Sequence, residues 1–516
     1  MSKSSQQIRK YSHLEHVLKL PDTYVGSIEE TTEEHYVLSE DGSKMVKQPI
    51  NYTPGEYKIF DEILVNALDH YVRIKEKNIQ GFEFAPVKSI KVAFSVEEGW
   101  ISVMNDGEGI PVELHEAENI YVPELIFGHL LTSGNYEKKQ KHTGGKNGYG
   151  GKLANIFSKE FIIETIDHNH GLKYTQRFYN NMADKDKPKI TKNKGKPYTK
   201  ITYYPDFERF GHKNLKTDMV KLITKRTYDA AAVTDPSVSI FLNEVKLDFK
   251  SFEKYTDLYL GDKSEVPRIY QEFSSRWALC VAVNPTQQFE QVSFVNGITT
   301  HQGGKHVEYI TNQICKKLAE YIEKKKKIKV KTSHIKENIF VLIKCTIDDP
   351  SFNSQIKEFL TTPQSKFGSK CDIDDKFIDK LAKMGLMETA ISLSAFKENK
   401  DLKKTDGKKK SQIKGIPKLD DAVWAGTSKS SQCTLVLTEG DSAKAFAISG
   451  ISVIGREKYG VFPLKGKLLN VMDAAVSQLN NNTEISALKK IMGLQQFETS
   501  KKKKVYKDIS ELKLKK

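Results

Sequence analysis

Cysteine is scarce in this chain, and its spacing matches no metal site or disulfide framework. The five residues are scattered, odd in number and without a C-x-x-C pair: Cys280, Cys315, Cys345, Cys371 and Cys433. Zinc sites and disulfide scaffolds both depend on paired cysteines. The sequence therefore argues against both and is typical of a protein from a reducing compartment.

Long hydrophobic runs are absent as well. No apolar run approaches the ~18 residues that a membrane-spanning helix needs. The first ten residues, MSKSSQQIRK, are too polar for a secretion signal. We therefore expect a soluble intracellular protein with no membrane partner.

Acidic residues are outnumbered, since 66 aspartates and glutamates face 81 lysines and arginines, a net charge of +15. This excess suits a polyanionic partner, although a basic balance is also common in proteins that merely stay soluble. Apolar residues make up 38% of the 516 residues, which is enough for true cores and argues against wholesale disorder. At about 150 residues per domain, the length predicts roughly three domains.

The most distinctive stretch is the run 143–152, TGGKNGYGGK, which has five glycines between Gly144 and Gly151. Without Cβ atoms, the backbone can turn several N–H groups toward one anion. The apolar spacing after it predicts that a helix begins there, and a glycine-rich loop at a helix N-terminus suits a phosphate. The run has neither a Walker ending nor a G-x-G-x-x-G pattern. By itself it is either a phosphate cradle or a flexible surface loop.

The segment 56–77 predicts the best helix of the first half. Four polar residues at i, i+4, i+7 and i+11 share one face, namely Glu62, Asn66, Asp69 and Arg73. An ordinary wet helix face is one interpretation. Because apolar residues flank this stripe almost all round, we expect it to line a cavity. Two predicted strands follow, and the second ends in a turn, Asn105 to Pro111, that brings another polar group to the same place.

Later segments predict two further units. From about 255 to 400, strand-like runs alternate with a long helix that ends in KKKK, which favours α/β packing with some parallel strand pairing. The lysine-rich segments 185–200 and 397–415 are predicted to be a solvated loop and a linker. The third unit opens with a buried strand, CTLVLT, followed directly by EGDSAK from Glu439 to Lys444.

Taken in order, the helix face, the turn and the glycine loop resemble the GHKL ATP-binding fold of type II topoisomerases, heat-shock protein 90, MutL and histidine kinases. Six further motifs are similar to eukaryotic and large-DNA-virus DNA topoisomerase II, with the resemblance covering about 14–494. They are FDEILVNA (60–67), HLLTSGNY (129–136), QVSFVN (291–296), QIKE (355–358), LTEGDSAK (437–444) and GREKYGVFPLKGKLLN (455–470).

The resemblance implies an α/β fold, in detail an α+β sandwich, with four segments. They are a GHKL (Bergerat) ATPase domain with an N-terminal arm over 1–254, a transducer domain over 255–400, a basic linker over 401–431 and an incomplete TOPRIM domain over 432–516.

The resemblance also implies a site for ATP and Mg²⁺. Glu62 would be the general base that polarises the attacking water, Asn66 would ligate Mg²⁺, and Asn105 would read the adenine edge. The other nucleotide contacts implied are Asp69, Arg73, Ser133, Gly134, Asn135, Gly145, Lys146, Asn147, Gly148, Tyr149, Gly150, Gly151, Lys152 and Gln355. Lys357, from the second domain, would reach the γ-phosphate and sense its loss. Without the resemblance, Lys357 would be interpreted as a solvent-facing loop lysine.

Double-stranded DNA and a second copy of the chain are the partners that the resemblance implies, with ATP binding closing the homodimer. Lys324, Lys325 and Lys326 would touch the captured duplex, although a frayed, solvated helix end is the alternative. Glu439 would hold Mg²⁺ at a DNA-cleavage site together with an Asp-x-Asp-x-Asp cluster, and a winged-helix tyrosine would attack the DNA backbone there. Neither occurs before Lys516, so cleavage is expected to need the remaining core, in the same or a separate chain.

Of two rival interpretations, the segment 439–444 rules out the first and leaves the second open. Another GHKL ATPase would lack the segment 439–444, whereas a naturally short, non-cleaving or inhibitory DNA-binding chain would keep it. Four departures from the family pattern, at Leu20, Gly134, Lys146 and Ile356, remove no catalytic group and are expected to shift ATP affinity. The expected location is the nucleus, or a viral factory or virion.

Overall fold

The computed structural model describes residues 10–132, 142–145, 148–249, 251–284, 286–404, 416–472, 474 and 476–494. The chain divides into two compact units, Met1–Met387 and Glu388–Lys516. Among the helices of the described residues, none is both long and apolar enough to cross a membrane.

In the first part of the larger unit, up to residue 249, the described residues form eleven strands and five α-helices. The helices are α1 (His13–Lys19), α2 (Pro54–Ile79), α3 (Val122–Gly128), α4 (Gly150–Ile156) and α5 (Thr217–Val233). The strands are β1 (Thr31–Leu38), β2 (Met45–Tyr52), β3 (Ser89–Ser95), β4 (Trp100–Asp106), β5 (Ser158–Asp167), β6 (Leu172–Tyr179), β7 (Asp184–Lys185), β8 (Lys189–Lys192), β9 (Tyr198–Pro205), β10 (Ser239–Leu242) and β11 (Val245–Lys246).

Nine of these strands form one sheet in the order β11-β10-β3-β4-β9-β5-β6-β7, with β8 also paired to β6. β10 and β3 run parallel, and the other neighbours are antiparallel. β1 and β2 form a separate antiparallel hairpin. In β9 burial alternates, with Ile201 and Tyr203 inside, which is the period of a strand that packs on one face.

The core of this part lies between the sheet and the helices α2, α4 and α5. α2 begins at Pro54, where a missing N–H costs nothing, and buries Ile59, Phe60 and Ile63. Strand residues such as Phe161 belong to the same apolar cluster. Because the apolar sides of α2 are covered, its polar stripe faces away from this core. The result is the predicted α/β sandwich.

The second part of the larger unit carries a smaller sheet. The strands of this part are β12 (Arg268–Ser274), β13 (Trp277–Val283), β14 (Glu290–Val295), β15 (Ile298–Thr299), β16 (Gly303–Gly304), β17 (Ile339–Cys345) and β18 (Phe359–Leu360). The helices of this part are α6 (Phe252–Leu260), α7 (Lys305–Lys326), α8 (Thr332–Lys336) and α9 (Asp375–Leu381). Five strands follow the order β12-β13-β17-β14-β15. β14 and β17 are parallel, which confirms the predicted parallel pairing.

The smaller unit holds a short parallel sheet. Its elements are α10 (Met387–Lys404), whose first residue closes the larger unit, then β19 (Thr434–Glu439), α11 (Gly440–Ile454), β20 (Tyr459–Leu464), α12 (Val476–Asn481) and α13 (Thr483–Met492). β19 and β20 pair in parallel with α11 as the crossover, so this is a βαβ unit.

Two predictions for lysine-rich segments were partly wrong. The segment 185–200 was predicted to be a loop, yet it contains β8 and the end of β7, both paired with β6. Lysines suit a sheet edge, because the ladder needs only backbone groups. In the predicted linker 397–415, residues 397–404 belong to α10, since lysine and glutamate are good helix formers. Residues 405–415 lie outside the described residues.

A buried ion pair of the first part also reaches the second part through one hydrogen bond. The Arg226 guanidinium donates from Nε to Asp61 Oδ1 (2.6 Å) and from Nη2 to the carbonyl of Gly297 (2.9 Å), and its side chain is fully buried. This guanidinium ties α5 to α2 and to the turn between β14 and β15. Asp61 is the carboxylate that accepts a hydrogen bond from this buried guanidinium.

Asp61→Ala is therefore expected to lower the free energy of unfolding by about 3–5 kcal/mol, because it leaves a buried guanidinium without its hydrogen-bonded carboxylate. Urea unfolding followed by circular dichroism measures the change. The matched control is Lys263→Ala, which breaks a 2.8 Å pair with Glu253 whose lysine side chain is 57% exposed. That change should cost less than about 1 kcal/mol. Equal effects of the two variants would contradict a stabilising role of the buried pair.

Candidate nucleotide site

A cavity of about 670 Å³ lies where α2, the end of β4, the glycine-rich loop and the segment around Lys357 converge. All four members of the predicted polar stripe line it, as do these other predicted contacts: Asn105, Gly145, Gly148, Tyr149, Gly150, Gly151, Lys152, Gln355 and Lys357. The expectation that the stripe faces a cavity is confirmed. Ser133, Gly134, Asn135, Lys146 and Asn147 lie outside the described residues.

Part of the cavity wall is apolar, and the amide of Asn105 also lines the cavity. Its wall includes Ile63, Ala67, Val103, Ile110 and Ile201. Asn105 is buried there at the end of β4, and its Nδ2 donates to the carbonyl of Asp106 (3.0 Å). A buried amide beside an apolar wall suits a flat heteroaromatic ring, because the amide can accept one hydrogen bond from it.

Asp69 anchors the glycine-rich loop. Its Oδ1 accepts from the Gly144 N–H (2.8 Å) and its Oδ2 accepts from the Gly145 N–H (2.7 Å). Burial raises the pKa of Asp69 to about 6, although these two donors act in the opposite direction. The carboxylate therefore shapes the loop through its backbone. The predicted direct contact of Asp69 with nucleotide stays a prediction.

Lys152 also stabilises the loop, through hydrogen bonds to two backbone carbonyl groups. Its ammonium donates to the carbonyls of Thr132 (2.9 Å) and Gly148 (2.6 Å), and burial lowers its pKa to about 8. The side chain thus holds the segments before and within the loop together. It was predicted to bind phosphate, and that role also stays a prediction.

Glu62 lies in the cavity wall and pairs with two buried lysines. Its Oε1 lies 2.5 Å from the Lys58 ammonium and 2.9 Å from the Lys357 ammonium, and all three side chains are buried. Burial alone would raise the pKa of Glu62, but the two neighbouring ammonium groups lower it to about 2. Glu62 is therefore a carboxylate at neutral pH. A buried carboxylate beside a phosphate-sized cradle is suited to polarising a water molecule.

The other carboxylate oxygen, Oε2, faces the first residue of α4. A Cβ on Gly150 would lie 2.0 Å from it, far inside van der Waals contact. Gly150 is not in the left-handed region, so glycine is required here for space alone. The loop can reach Glu62 only because this side chain is missing.

Gly150→Ala is expected to lower the rate of ATP hydrolysis roughly tenfold to 100-fold, because the new methyl group displaces the Glu62 carboxylate. Steady-state ATPase kinetics measure the change. Gly450→Ala is the matched control, since Gly450 is also helical and its Cβ would meet nothing within 4 Å. Equal turnover in the two variants would mean that the position of Glu62 is unimportant.

Comparison with known proteins agrees with this geometry. The sequence profile described as "Histidine kinase-, DNA gyrase B-, and HSP90-like ATPase" matches residues 55–187, and the one described as "DNA gyrase B" matches 241–410. DNA topoisomerase 2 of Arabidopsis thaliana is 49% identical over 95% of this chain and 33% of its own length.

Solved structures give the same result. The crystal structure of the ATPase region of Saccharomyces cerevisiae topoisomerase II is 44% identical, has a TM-score of 0.70, and aligns over 76% of this chain and all of its own. The chain belongs to the DNA topoisomerase II family. The ATPase and transducer domains of DNA topoisomerase II from Balamuthia mandrillaris are 38% identical, with a TM-score of 0.71, over 77% of this chain and all of theirs.

These matches bear out the predicted family and the GHKL and transducer folds. The chain spans about a third of the length of the Arabidopsis topoisomerase. The predicted segment boundaries at 254, 400 and 431 stay predictions.

The remaining predicted site residues of this topoisomerase II chain lie outside the cavity. Lys324, Lys325 and Lys326 occupy the last turn of α7 and are exposed. Glu439 ends β19 in the smaller unit and is exposed. No group of three or more His, Cys, Asp or Glu side chains placed to hold a metal ion occurs among the residues that the structure describes. The metal role of Glu439 stays a prediction.

Two of the residues near the site that sequence reasoning missed are Lys58 and His142. Lys58 lies four residues before Glu62, and this helical spacing was a usable signal. His142 is the second, with Nδ1 2.8 Å from Glu76 Oε1 and Nε2 2.9 Å from Asp348 Oδ1. It links α2 to the segment after β17, and no local pattern pointed to a partner more than 200 residues away.

Proposed function

We propose that this chain is the ATP-binding and ATP-hydrolysing clamp of a DNA topoisomerase II. The observation that carries the proposal is the contact between Glu62 and Lys357, because it joins a carboxylate of the ATPase part to a cation of the second part at the wall of one cavity. Because the lysine that would sense the γ-phosphate contacts the carboxylate that would activate water, hydrolysis would be coupled to movement of the second part.

The adenine ring enters the apolar part of the cavity. There its exocyclic amine donates to the amide oxygen of Asn105, while the aliphatic wall excludes water from both ring faces. The triphosphate then runs toward the glycine-rich loop. Backbone N–H groups at the start of α4 face that path, and Arg73 adds positive charge on the α2 side.

Mg²⁺ would be held mainly by the phosphates. Asn66 lines the cavity one helical turn beyond Glu62 and offers one neutral amide oxygen. A metal ion bound by protein groups alone would need several carboxylates, and no suitable cluster occurs among the described residues. The donor set therefore fits a magnesium–nucleotide complex. The ion would supply charge neutralisation at the phosphate oxygens.

Glu62 polarises the water that attacks the γ-phosphate. With both lysines on Oε1, its pKa of about 2 makes it a weak base. A γ-phosphate in the cradle offers Lys357 a second anion, and transfer of Lys357 to that phosphate would leave Glu62 more basic. Loss of the phosphate after hydrolysis returns Lys357 to Glu62, so the second part of the unit has two positions.

The clamp acts on double-stranded DNA as a homodimer that closes when ATP binds. The exposed lysines of the last turn of α7 supply phosphate contacts, because clustered lysines bind backbone charge and read no bases. DNA relaxation or decatenation requires the remaining cleavage core in the same or a separate chain.

The test combines nucleotide binding, assembly and DNA binding on the whole chain. A non-hydrolysable ATP analogue should double the mass in analytical ultracentrifugation, whereas ADP should not. Replacing Lys324, Lys325 and Lys326 together by Gln should reduce the slope of log affinity against log salt by about 3. The same change at Lys187, Lys189 and Lys192, exposed lysines near the sheet edge, is the control and should have no effect. Failure to bind nucleotide would refute the proposal.

A further inference from the structure

We propose that Lys58 is the resident counter-ion of Glu62, a positioning residue that stays on Oε1 when Lys357 moves to the γ-phosphate. This inference rests on the proposed function and names a residue that acts through the general base. In this arrangement Lys58 keeps the carboxylate charged and keeps Oε2 turned toward Gly150 during hydrolysis.

The geometry divides the two oxygens of Glu62 between two tasks. Both ammonium groups contact Oε1, at 2.5 Å from Lys58 and 2.9 Å from Lys357. Oε2 instead lies beside Gly150, where a Cβ would approach it to 2.0 Å. One oxygen is therefore held by cations, and the other is presented to the phosphate cradle.

The two lysines differ in what holds them. Lys58 lies on α2 itself, one turn before Glu62, so its distance to the carboxylate is set by a single helix. Lys357 lies in the segment between β17 and β18, on the second part of the unit, with a left-handed backbone (φ 68°). A movement of that second part breaks the Lys357 contact and leaves the Lys58 contact intact.

Helix stability does not explain why a buried lysine occupies position 58. A lysine that precedes glutamate by four residues is the less favourable order for a helical pair. Burying an ammonium group is also costly, and a buried ion pair is often matched in stability by apolar side chains. The second carboxylate near Lys58 is that of Asp61, at 3.9 Å, and Asp61 is already bound to Arg226 at 2.6 Å. Glu62 is therefore the carboxylate that Lys58 contacts most closely.

The experiment compares Lys58→Met, Lys58→Arg and Glu62→Gln in the whole chain by steady-state ATPase kinetics and binding of a fluorescent ATP analogue. Lys58→Met should lower kcat about tenfold or more, while KM and analogue affinity stay within about twofold. Lys58→Arg should recover most of the loss, because charge at Oε1 is restored. Lys344→Met, a partly buried lysine of β17 outside the cavity lining, is the control and should keep wild-type kinetics.

The outcomes separate this inference from the proposed function. An inactive Glu62→Gln with Lys58→Met at wild-type kcat would overturn the role of Lys58 alone. A fully active Glu62→Gln would overturn the proposed base and Lys58 with it. If Lys58→Met does not fold, as judged by its thermal transition, Lys58→Gln serves in its place and the same kcat comparison decides.

Discussion

Replacing Glu62 by glutamine is expected to reduce ATP hydrolysis by roughly 10²–10⁴-fold while ATP still binds. The amide keeps the shape of the carboxylate but cannot polarise the attacking water. ATP affinity should be preserved, because Lys357, 2.9 Å from Glu62 Oε1, loses a competing anion and remains available to the γ-phosphate. Closure of the clamp on ATP should also persist. Phosphate release and the binding of a fluorescent ATP analogue measure the two effects.

The matched control is Glu97→Gln in the turn between β3 and β4, where the side chain is exposed and away from the cavity lining. It should hydrolyse ATP at the wild-type rate. Turnover above a few per cent of wild type in Glu62→Gln would remove Glu62 from the role of general base.

Replacing Lys357 by methionine is expected to lower kcat by about 10²–10³-fold, the cost of losing one preorganised positive group at a developing negative charge. The variant should also bind ATP and ADP with nearly equal affinity, because Lys357 is the group proposed to distinguish them. The methionine keeps the length and burial of the lysine side chain. Its effect therefore reports charge, with little contribution from packing.

Lys366→Met is the control for that result, since Lys366 is an exposed lysine of the same part of the chain. It should change neither kcat nor the ratio of the two affinities. A Lys357→Met variant that still prefers ATP over ADP by the wild-type ratio would exclude Lys357 as the phosphate sensor, whatever its turnover.

Much of the site could be predicted from local patterns. The stripe on α2 was readable because a helix repeats every 3.6 residues, so Glu62, Asn66 and Asp69 had to share a face. The glycine-rich loop was readable because glycine density marks close backbone approach, and Gly150 bears this out, since a Cβ there would lie 2.0 Å from Glu62 Oε2. The strand at Trp100–Asp106 was readable from its composition and from the turn that ends it.

Other predictions failed or stayed open where local pattern and tertiary contact diverged. Lysine density predicts a loop or a linker, yet strand Lys189–Lys192 pairs at a sheet edge and helix Met387–Lys404 continues into the lysine-rich segment. Charge patterns do not report backbone pairing, since ladder hydrogen bonds need no particular side chain. The metal role of Glu439, the DNA contacts and the cellular location stay predictions.

The sequence by itself determined the helix face, the turn and the loop, because each depends on neighbours within a few positions along the chain, and the fold class followed from the resemblance to GHKL ATPases. Tertiary structure decided how those residues are used. Lys357 meets Glu62 across 295 positions, and Asp69 turned out to hold the loop backbone. Such contacts follow from how two sheets and their helices pack, and side-chain periodicity carries no information about them.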